Sequence, residues 1–206
     1  MSTFADNVNV AIREVRKYGA RDAQNIREAI EFIEFFADKE IKGYIEVGTR
    51  HGWTFYLVAK CLHPEWMIAI DKPGEPPWGD AGSEKVLANV IDKVRDMGIT
   101  ATLIYGDSAD WSTLAQVEYA RKERHADLIF IDGDHKKKAV WSDWNNYWPI
   151  CKGYLAFHDT HTRKGGVEVI DVWQELKHEL SVPSVPTAEY RFHEINYGIG
   201  IGIVAR

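Results

Sequence analysis

Apolar residues recur along this chain with two different periods, and the switch between them divides it. Over residues 5–18 and 22–38 they return every three or four positions, the second run as Ile26, Ala29, Ile30, Ile33 and Phe36 with charges between. That spacing lines one face of a helix, so two amphipathic helices are predicted there. From Lys42 onward short apolar runs take over, at 43–47, 67–71, 101–105, 127–131 and 153–157, each the length of a strand. Helical spacing returns between them over 52–62, 83–97, 111–122, 136–146 and 165–180. Strand then helix, repeated, implies right-handed crossovers, which predicts an α/β fold with a doubly wound, mostly parallel sheet. The tail breaks the alternation. Two strands follow one another near 188–193 and 199–205 with only Glu194-Ile-Asn-Tyr197 between, the pattern of an antiparallel pair closing the sheet.

A chain of 206 residues, 45% of them hydrophobic, can bury one core. One domain over 1–206 is expected, with residues 1–40 as an N-terminal helical cap and 41–206 as the α/β core. The formal net charge of -6 argues against a nucleic-acid partner, since phosphate neutralisation needs a basic face. Cys61 and Cys151 are far apart and show no C-x-x-C spacing, so neither a disulfide framework nor a zinc knuckle is suggested, and a reducing cytoplasm fits. The N-terminus lacks the look of a leader and no apolar run is long enough to span a bilayer, so a cytoplasmic protein with no membrane partner is expected. The Pro- and Gly-rich stretch 72–82 reads as a surface loop, a lid containing Trp78. Lys136, Lys137 and Lys138 read as the solvated start of a helix. Trp141, Trp144 and Trp148 share one helical face that suits core or subunit packing, and any part of it left exposed would point to a homo-oligomer. Trp78, Trp111, Arg163 and Tyr197 sit near strand ends, where they would border an acceptor pocket.

The first strand runs into Glu46-Val-Gly48-Thr49-Arg-His-Gly52, and the second ends at Asp71. A glycine-containing turn followed by a later acid is how such sheets hold a ribose: glycine lets backbone approach the ligand, and the carboxylate accepts both sugar hydroxyls. A dinucleotide fingerprint needs G-x-G-x-x-G, but counted from Gly48 the frame is Gly48, Arg50, Trp53. No G-K-[ST] follows for a nucleotide triphosphate either. What remains is an adenosine ligand without a diphosphate, of which S-adenosylmethionine is the common one.

Asp127-Leu-Ile-Phe-Ile-Asp132-Gly-Asp134-His135 and Gly153-Tyr-Leu-Ala-Phe-His158-Asp159-Thr-His161 each stop an apolar run at carboxylates and imidazoles. Adjacent strands would bring these side chains together. Oxygen ligands with an imidazole suit Mg²⁺ or Mn²⁺ before Zn²⁺, since no thiolate is near. A bound cation stabilises an alkoxide at neutral pH, and His135, with an imidazole titrating near neutrality, is the candidate general base. The competing reading makes Asp134-His135 and Asp159-Thr160 caps of the helices that follow.

With Gly106-Asp107-Ser108 after the third strand, these motifs stand in an order that resembles the class I S-adenosylmethionine-dependent methyltransferases, and within them the branch with cephalosporin-hydroxylase-like proteins and macrolide-sugar O-methyltransferases. The resemblance covers residues 40–160 well and the tail loosely. It implies a seven-stranded, Rossmann-like sheet whose last strand is antiparallel. It further implies that Glu46, Gly48, Thr49 and Gly52 line the cofactor, that Asp71 holds its ribose, that Asp107 and Ser108 meet the adenine, and that Asp132 borders it. In that branch Mg²⁺ is held by an acid after the fourth strand and an acidic pair after the fifth, which correspond to Asp132 and to His158-Asp159; His158 departs from the pattern. The implied reaction is O-methylation of a small hydroxylated acceptor, with Asp132, Asp159 and His135 as catalytic residues. Two other readings use the same sheet: a nicotinamide-dependent oxidoreductase, opposed by the broken glycine frame, and a non-catalytic cofactor-binding protein.

Overall fold

A computed structural model describes residues 4–22, 24–72, 74, 82–181 and 190–206. Strands β1 (Gly43–Val47), β2 (Trp66–Asp71), β3 (Thr100–Tyr105), β4 (Ala126–Ile131), β5 (Cys151–Phe157), β6 (Arg191–Ile195) and β7 (Ile201–Ala205) form one sheet in the order β3-β2-β1-β4-β5-β7-β6. The first five pair in parallel, and β7 runs antiparallel to both β5 and β6. The expected doubly wound sheet with an antiparallel last strand is the sheet observed. Strand order reverses between β1 and β4, and the crevice beyond the carboxyl ends at such a reversal is where α/β sheets receive ligands.

Helices α1 (Phe4–Lys17), α2 (Ile26–Phe36), α3 (Trp53–Leu62) and α4 (Ser83–Arg95) cover one face, and α5 (Trp111–Arg121), α6 (Lys137–Tyr147) and α7 (Val169–Ser181) the other. The strands sort their side chains between two cores with period two. Tyr44, Leu128 and Phe130 join the first core, whereas Ile45, Ile129 and Ile131 join the second. Such burial on both faces explains why the strands read as continuous apolar runs. In α2 the buried stripe Ala29, Phe32, Ile33 and Phe36 lies on this sheet, with the Phe32 and Phe130 rings 5.0 Å apart. Glu28 stands one turn before Phe32 on the same stripe and is 0% exposed.

Among the boundaries that differ from expectation, three have a visible physical cause. Asn25 caps α2 by accepting the Arg27 N–H at 2.9 Å, so the helix starts at Ile26 rather than 22. Gly165 and Gly166 have φ of 70° and 80° in a 3-10 turn (Lys164–Gly166), which delays α7 to Val169. Glu194 and Ile195 belong to β6 rather than to the connection, because they pair with Gly202 and Ile201 of β7; the Glu194 carboxylate also accepts the Trp173 indole N–H at 2.7 Å from α7. The tryptophan stripe packs within the chain: Trp144 is buried and stacks on Trp148 at 4.5 Å, and the Trp141 indole donates to Glu175. It therefore offers no argument for a second copy. Trp78 and most of the 72–82 loop lie outside the described residues. Among the described residues, no helix is long and apolar enough to cross a membrane.

Candidate active site

The turn after β1 is held by its own neighbours. The Gly48 and Thr49 N–H groups both donate to the Ile70 carbonyl, at 2.9 and 3.2 Å, and the Asp132 N–H donates to Val47 at 2.8 Å. Gly48 has φ of 85°, and a Cβ there would lie 2.1 Å from the Asp132 carbonyl oxygen. The glycine is thus required by the close passage of the β4 end, whatever ligand lies above. Gly52, with φ of 78°, would bring a Cβ within 2.8 Å of Val90 Cγ1 on α4. Thr49 is buried and turns its hydroxyl back on the Glu46 and Ile70 carbonyls, at 3.3 and 3.4 Å.

Three acids follow along the crest. Asp71, half-buried at the end of β2, accepts the Arg50 N–H at 2.9 Å. Burial raises its pKa, partly offset by that N–H. Asp107 accepts from Lys72 Nζ at 2.9 Å and from the Ala109 N–H at 3.0 Å, and Lys72 holds its carboxyl below the usual range. Glu46 is buried below the turn, takes the Tyr44 hydroxyl, and is pushed far above the usual carboxylate range by burial. Ser108 donates its hydroxyl at 2.6 Å to Asp143, a residue that sequence reasoning missed. Asp143 lies on the buried stripe of α6 with Val140, Trp144 and Tyr147, and burial lifts its pKa to about 7. A carboxylate at an apolar position of a helical stripe was the available signal.

At the ends of β4 and β5 the expected cluster assembles. Ile131 pairs with Phe157 across the two strands, which sets Asp132 beside His158. His158 Nδ1 is 3.0 Å from Asp132 Oδ1 and 3.7 Å from Asp159 Oδ1, and its Nε2 is 3.2 Å from Glu28 Oε1. His135 closes over the group with Nδ1 at 3.2 Å from Asp159 and Nε2 at 3.6 Å from Asp132. Asp159 is 2% exposed and adopts φ of 62°, a left-handed conformation that Asp tolerates better than most residues. The Thr160 and His161 N–H groups hold this bend by donating to Gly200 and Ile199, at 3.1 and 2.9 Å. Asp159 Oδ1, Glu28 Oε1 and His158 Nε2 are buried without a hydrogen-bond partner, the last two facing each other at 3.2 Å.

The charges sort accordingly. Burial alone would raise Asp132, yet His158 and His135 hold it down at about 2. Burial would lower His158, but Asp132 and Glu28 carry it well above its ordinary value. His135 is raised in the same way by Asp132 and Asp159. Asp159 is raised by burial, with the two imidazoles opposing.

Some candidates stay outside. Asp134 is exposed and accepts the Lys136 N–H, an Asx turn leading into α6, so the capping reading fits Asp134 alone. His161 is exposed and its ring meets Thr160 Oγ1. Arg163 pairs with Asp171, Tyr197 lies under Arg27, and Trp111 is 80% exposed. Lys136 reaches the Gly166 carbonyl, and Lys137 pairs with Glu175. Glu28 was not foreseen at all, although a carboxylate in line with Phe32 and Phe36 was a visible irregularity.

A family model described as a methyltransferase domain matches residues 45–160, from β1 to the end of the cluster and over half of the chain. The chain belongs to that methyltransferase family. It is a class I S-adenosylmethionine-dependent methyltransferase, which sets aside the nicotinamide reading. Solved structures share the fold. A Staphylococcus aureus protein described as a caffeoyl-CoA O-methyltransferase superposes with a TM-score of 0.67 at 14% identity, over 97% of this chain and 91% of that one. An O-methyltransferase from Bacillus cereus in complex with SAH gives 0.63 at 13% identity, over 100% and 91%. A methyltransferase from Geobacter sulfurreducens gives 0.59 at 16%, again over 100% and 91%. An uncharacterized protein of Acanthamoeba polyphaga mimivirus is 24% identical over 160 residues, 77% of this chain and 68% of that protein.

Proposed function

We propose that this methyltransferase moves the sulfonium methyl of S-adenosylmethionine to an oxygen of a small hydroxylated acceptor. Asp132, His158 and Asp159 hold a divalent ion, Mg²⁺ or Mn²⁺, and His135 takes the acceptor's proton. The observation that carries the reading is the meeting of these four side chains at the carboxyl ends of β4 and β5, next to the switch point between β1 and β4. The donor set fits an ion: one ligating atom from each of Asp132, His158 and Asp159 lies within 4.8 Å of the others, and the unpartnered Asp159 oxygen is among the atoms available. When bound, a dication lowers the pKa of an acceptor hydroxyl and fixes its orientation.

The chain's own residues supply the rest. Asp71, fixed by the Arg50 N–H, presents its carboxylate to the ribose hydroxyls. Asp107 and Ser108 border the adenine, where the Ser108 oxygen can still accept because its proton goes to Asp143. Glu46 and the turn from Gly48 to Gly52 form the floor. His135, in its neutral form and made the stronger base by Asp132 and Asp159, receives the hydroxyl proton as the acceptor oxygen forms its bond to the methyl carbon and the carbon–sulfur bond breaks, releasing S-adenosylhomocysteine. The sulfonium is already activated, so rate comes from alignment and electrostatics. Residues 1–206 act as one unit on this reading, because α2 reaches the cluster through Glu28.

Calorimetry with S-adenosylhomocysteine tests the cofactor half: binding in the micromolar range is expected, and about tenfold weaker binding for Asp71→Asn, the effect of losing one charged hydrogen-bond partner. Transfer to catechols and sugar hydroxyls, followed by S-adenosylhomocysteine release, tests the acceptor half. No binding at millimolar cofactor would remove the reading, and transfer to nitrogen but not oxygen acceptors would correct it.

A further inference from the structure

Glu28 is the least expected member of the cluster. It comes from α2, outside the residues matched by the family model, and its carboxylate is wholly buried. A buried carboxylate persists only where it is paired. Glu28 faces His158 Nε2 at 3.2 Å, an ion-pair contact outside hydrogen-bond geometry, and accepts the Ile199 N–H at 3.4 Å, whereas neighbouring Arg27 turns away over Tyr197. The connection between β6 and β7 makes room for it: Gly198 has φ of 63°, and a Cβ there would lie 2.0 Å from Glu28 Oε2.

We infer that Glu28 is the positioning residue for the ion's imidazole ligand, and that the site so built takes Mn²⁺ in preference to Mg²⁺. The inference rests on the ion reading above. Without an ion, His158 Nδ1–H donates to Asp132 Oδ1 at 3.0 Å; an ion would displace that proton, while the Glu28 carboxylate facing Nε2 keeps the proton there, the carboxylate–histidine–metal arrangement. The 3.0 Å from Nδ1 to Asp132 Oδ1 brings the two donors close enough to share one ion. The third donor, Asp159 Oδ1, is buried and unpartnered at 3.7 Å from the same nitrogen. A nitrogen donor in place of a third carboxylate favours a first-row transition metal over Mg²⁺, and the two remaining carboxylates suit Mn²⁺ among those metals.

The test is titration of the chelator-stripped full chain with Mn²⁺, followed by electron paramagnetic resonance, and with Mg²⁺ in competition. One Mn²⁺ should bind at least about tenfold more tightly than Mg²⁺, and Glu28→Gln should weaken Mn²⁺ by roughly 10–100-fold while S-adenosylhomocysteine affinity stays within about twofold. His158→Asp should narrow or reverse the preference. Should Glu28→Gln fail to fold, ¹⁵N spectra of the wild-type imidazoles with Zn²⁺ give the same answer: the proton is expected to remain on His158 Nε2 as Nδ1 shifts on binding. Equal affinity for the two ions, an unaltered Glu28→Gln titration, or coordination through Nε2 overturns the inference and leaves the ion reading standing. Failure of the wild type to bind either ion at millimolar concentration overturns the ion reading itself.

Discussion

The two halves of the crest are built on opposite terms. Around β1 and β2 the chain satisfies itself: Gly48, Thr49 and Asp71 are tied to backbone at Ile70, Glu46 and Arg50. At the ends of β4 and β5 the chain instead gathers three carboxylates and two imidazoles and leaves Asp159 Oδ1, Glu28 Oε1 and His158 Nε2 without hydrogen-bond partners. Where groups are satisfied internally, a motif reports chiefly on folding. Where buried groups keep unused capacity, it reports on something yet to bind. Substitutions should therefore separate, with stability lost in the first half and activity in the second.

The largest effect is expected at Gly48. A methyl group there meets backbone and the φ is left-handed, so Gly48→Ala should cost about 4 kcal/mol or more in urea unfolding. A stable Gly48→Ala protein that merely lost cofactor binding would break the comparison from one side. Asp132→Asn should do the reverse, reducing methyl transfer by about 10²–10³-fold while S-adenosylhomocysteine binding changes by only a few-fold, as for a group acting chiefly at the reacting centre. An unfolded Asp132→Asn protein would break it from the other side.

Asp143 sharpens the boundary, since it is buried against Ser108 with a raised pKa. A group whose folded pKa lies above its unfolded value contributes stability that is full below the unfolded pKa and lost as pH rises through the folded one. For Asp143 the window runs from the ordinary carboxylate value to about 7. Asp143→Asn should therefore gain on the wild type by about 2 kcal/mol between pH 5 and pH 8 in urea melts, and parallel pH profiles would show that Asp143 is not the titrating group. The smallest effect belongs to His161, exposed and turned to Thr160. His161→Ala should leave transfer within about twofold, because surface changes away from buried features are usually mild. A larger loss would extend the site toward the β6–β7 turn.

Much of this was legible beforehand, for identifiable reasons. Strand runs such as Asp127 to Ile131 are apolar throughout because both faces are covered, and their carboxyl ends announce themselves where Asp132 and His158 interrupt the run. The gathering of Asp132, His135, His158 and Asp159 followed from the adjacency of two parallel strands. Gly48 was legible as a special position but for an incomplete reason, since the atoms that exclude a side chain there belong to β4. Glu28 and Asp143 were hidden because each sits in a helical stripe whose partners lie on other elements.

By itself the sequence determined the alternation of elements, the parallel sheet with its antiparallel close, and the residues that end each strand, because periodicity and strand termination are local properties of the chain. Only the tertiary structure decided that Glu28 meets His158 and that Asp159 keeps an unpartnered oxygen. Those facts depend on which buried groups fill one another's hydrogen-bonding capacity, and that matching exists only once distant segments pack.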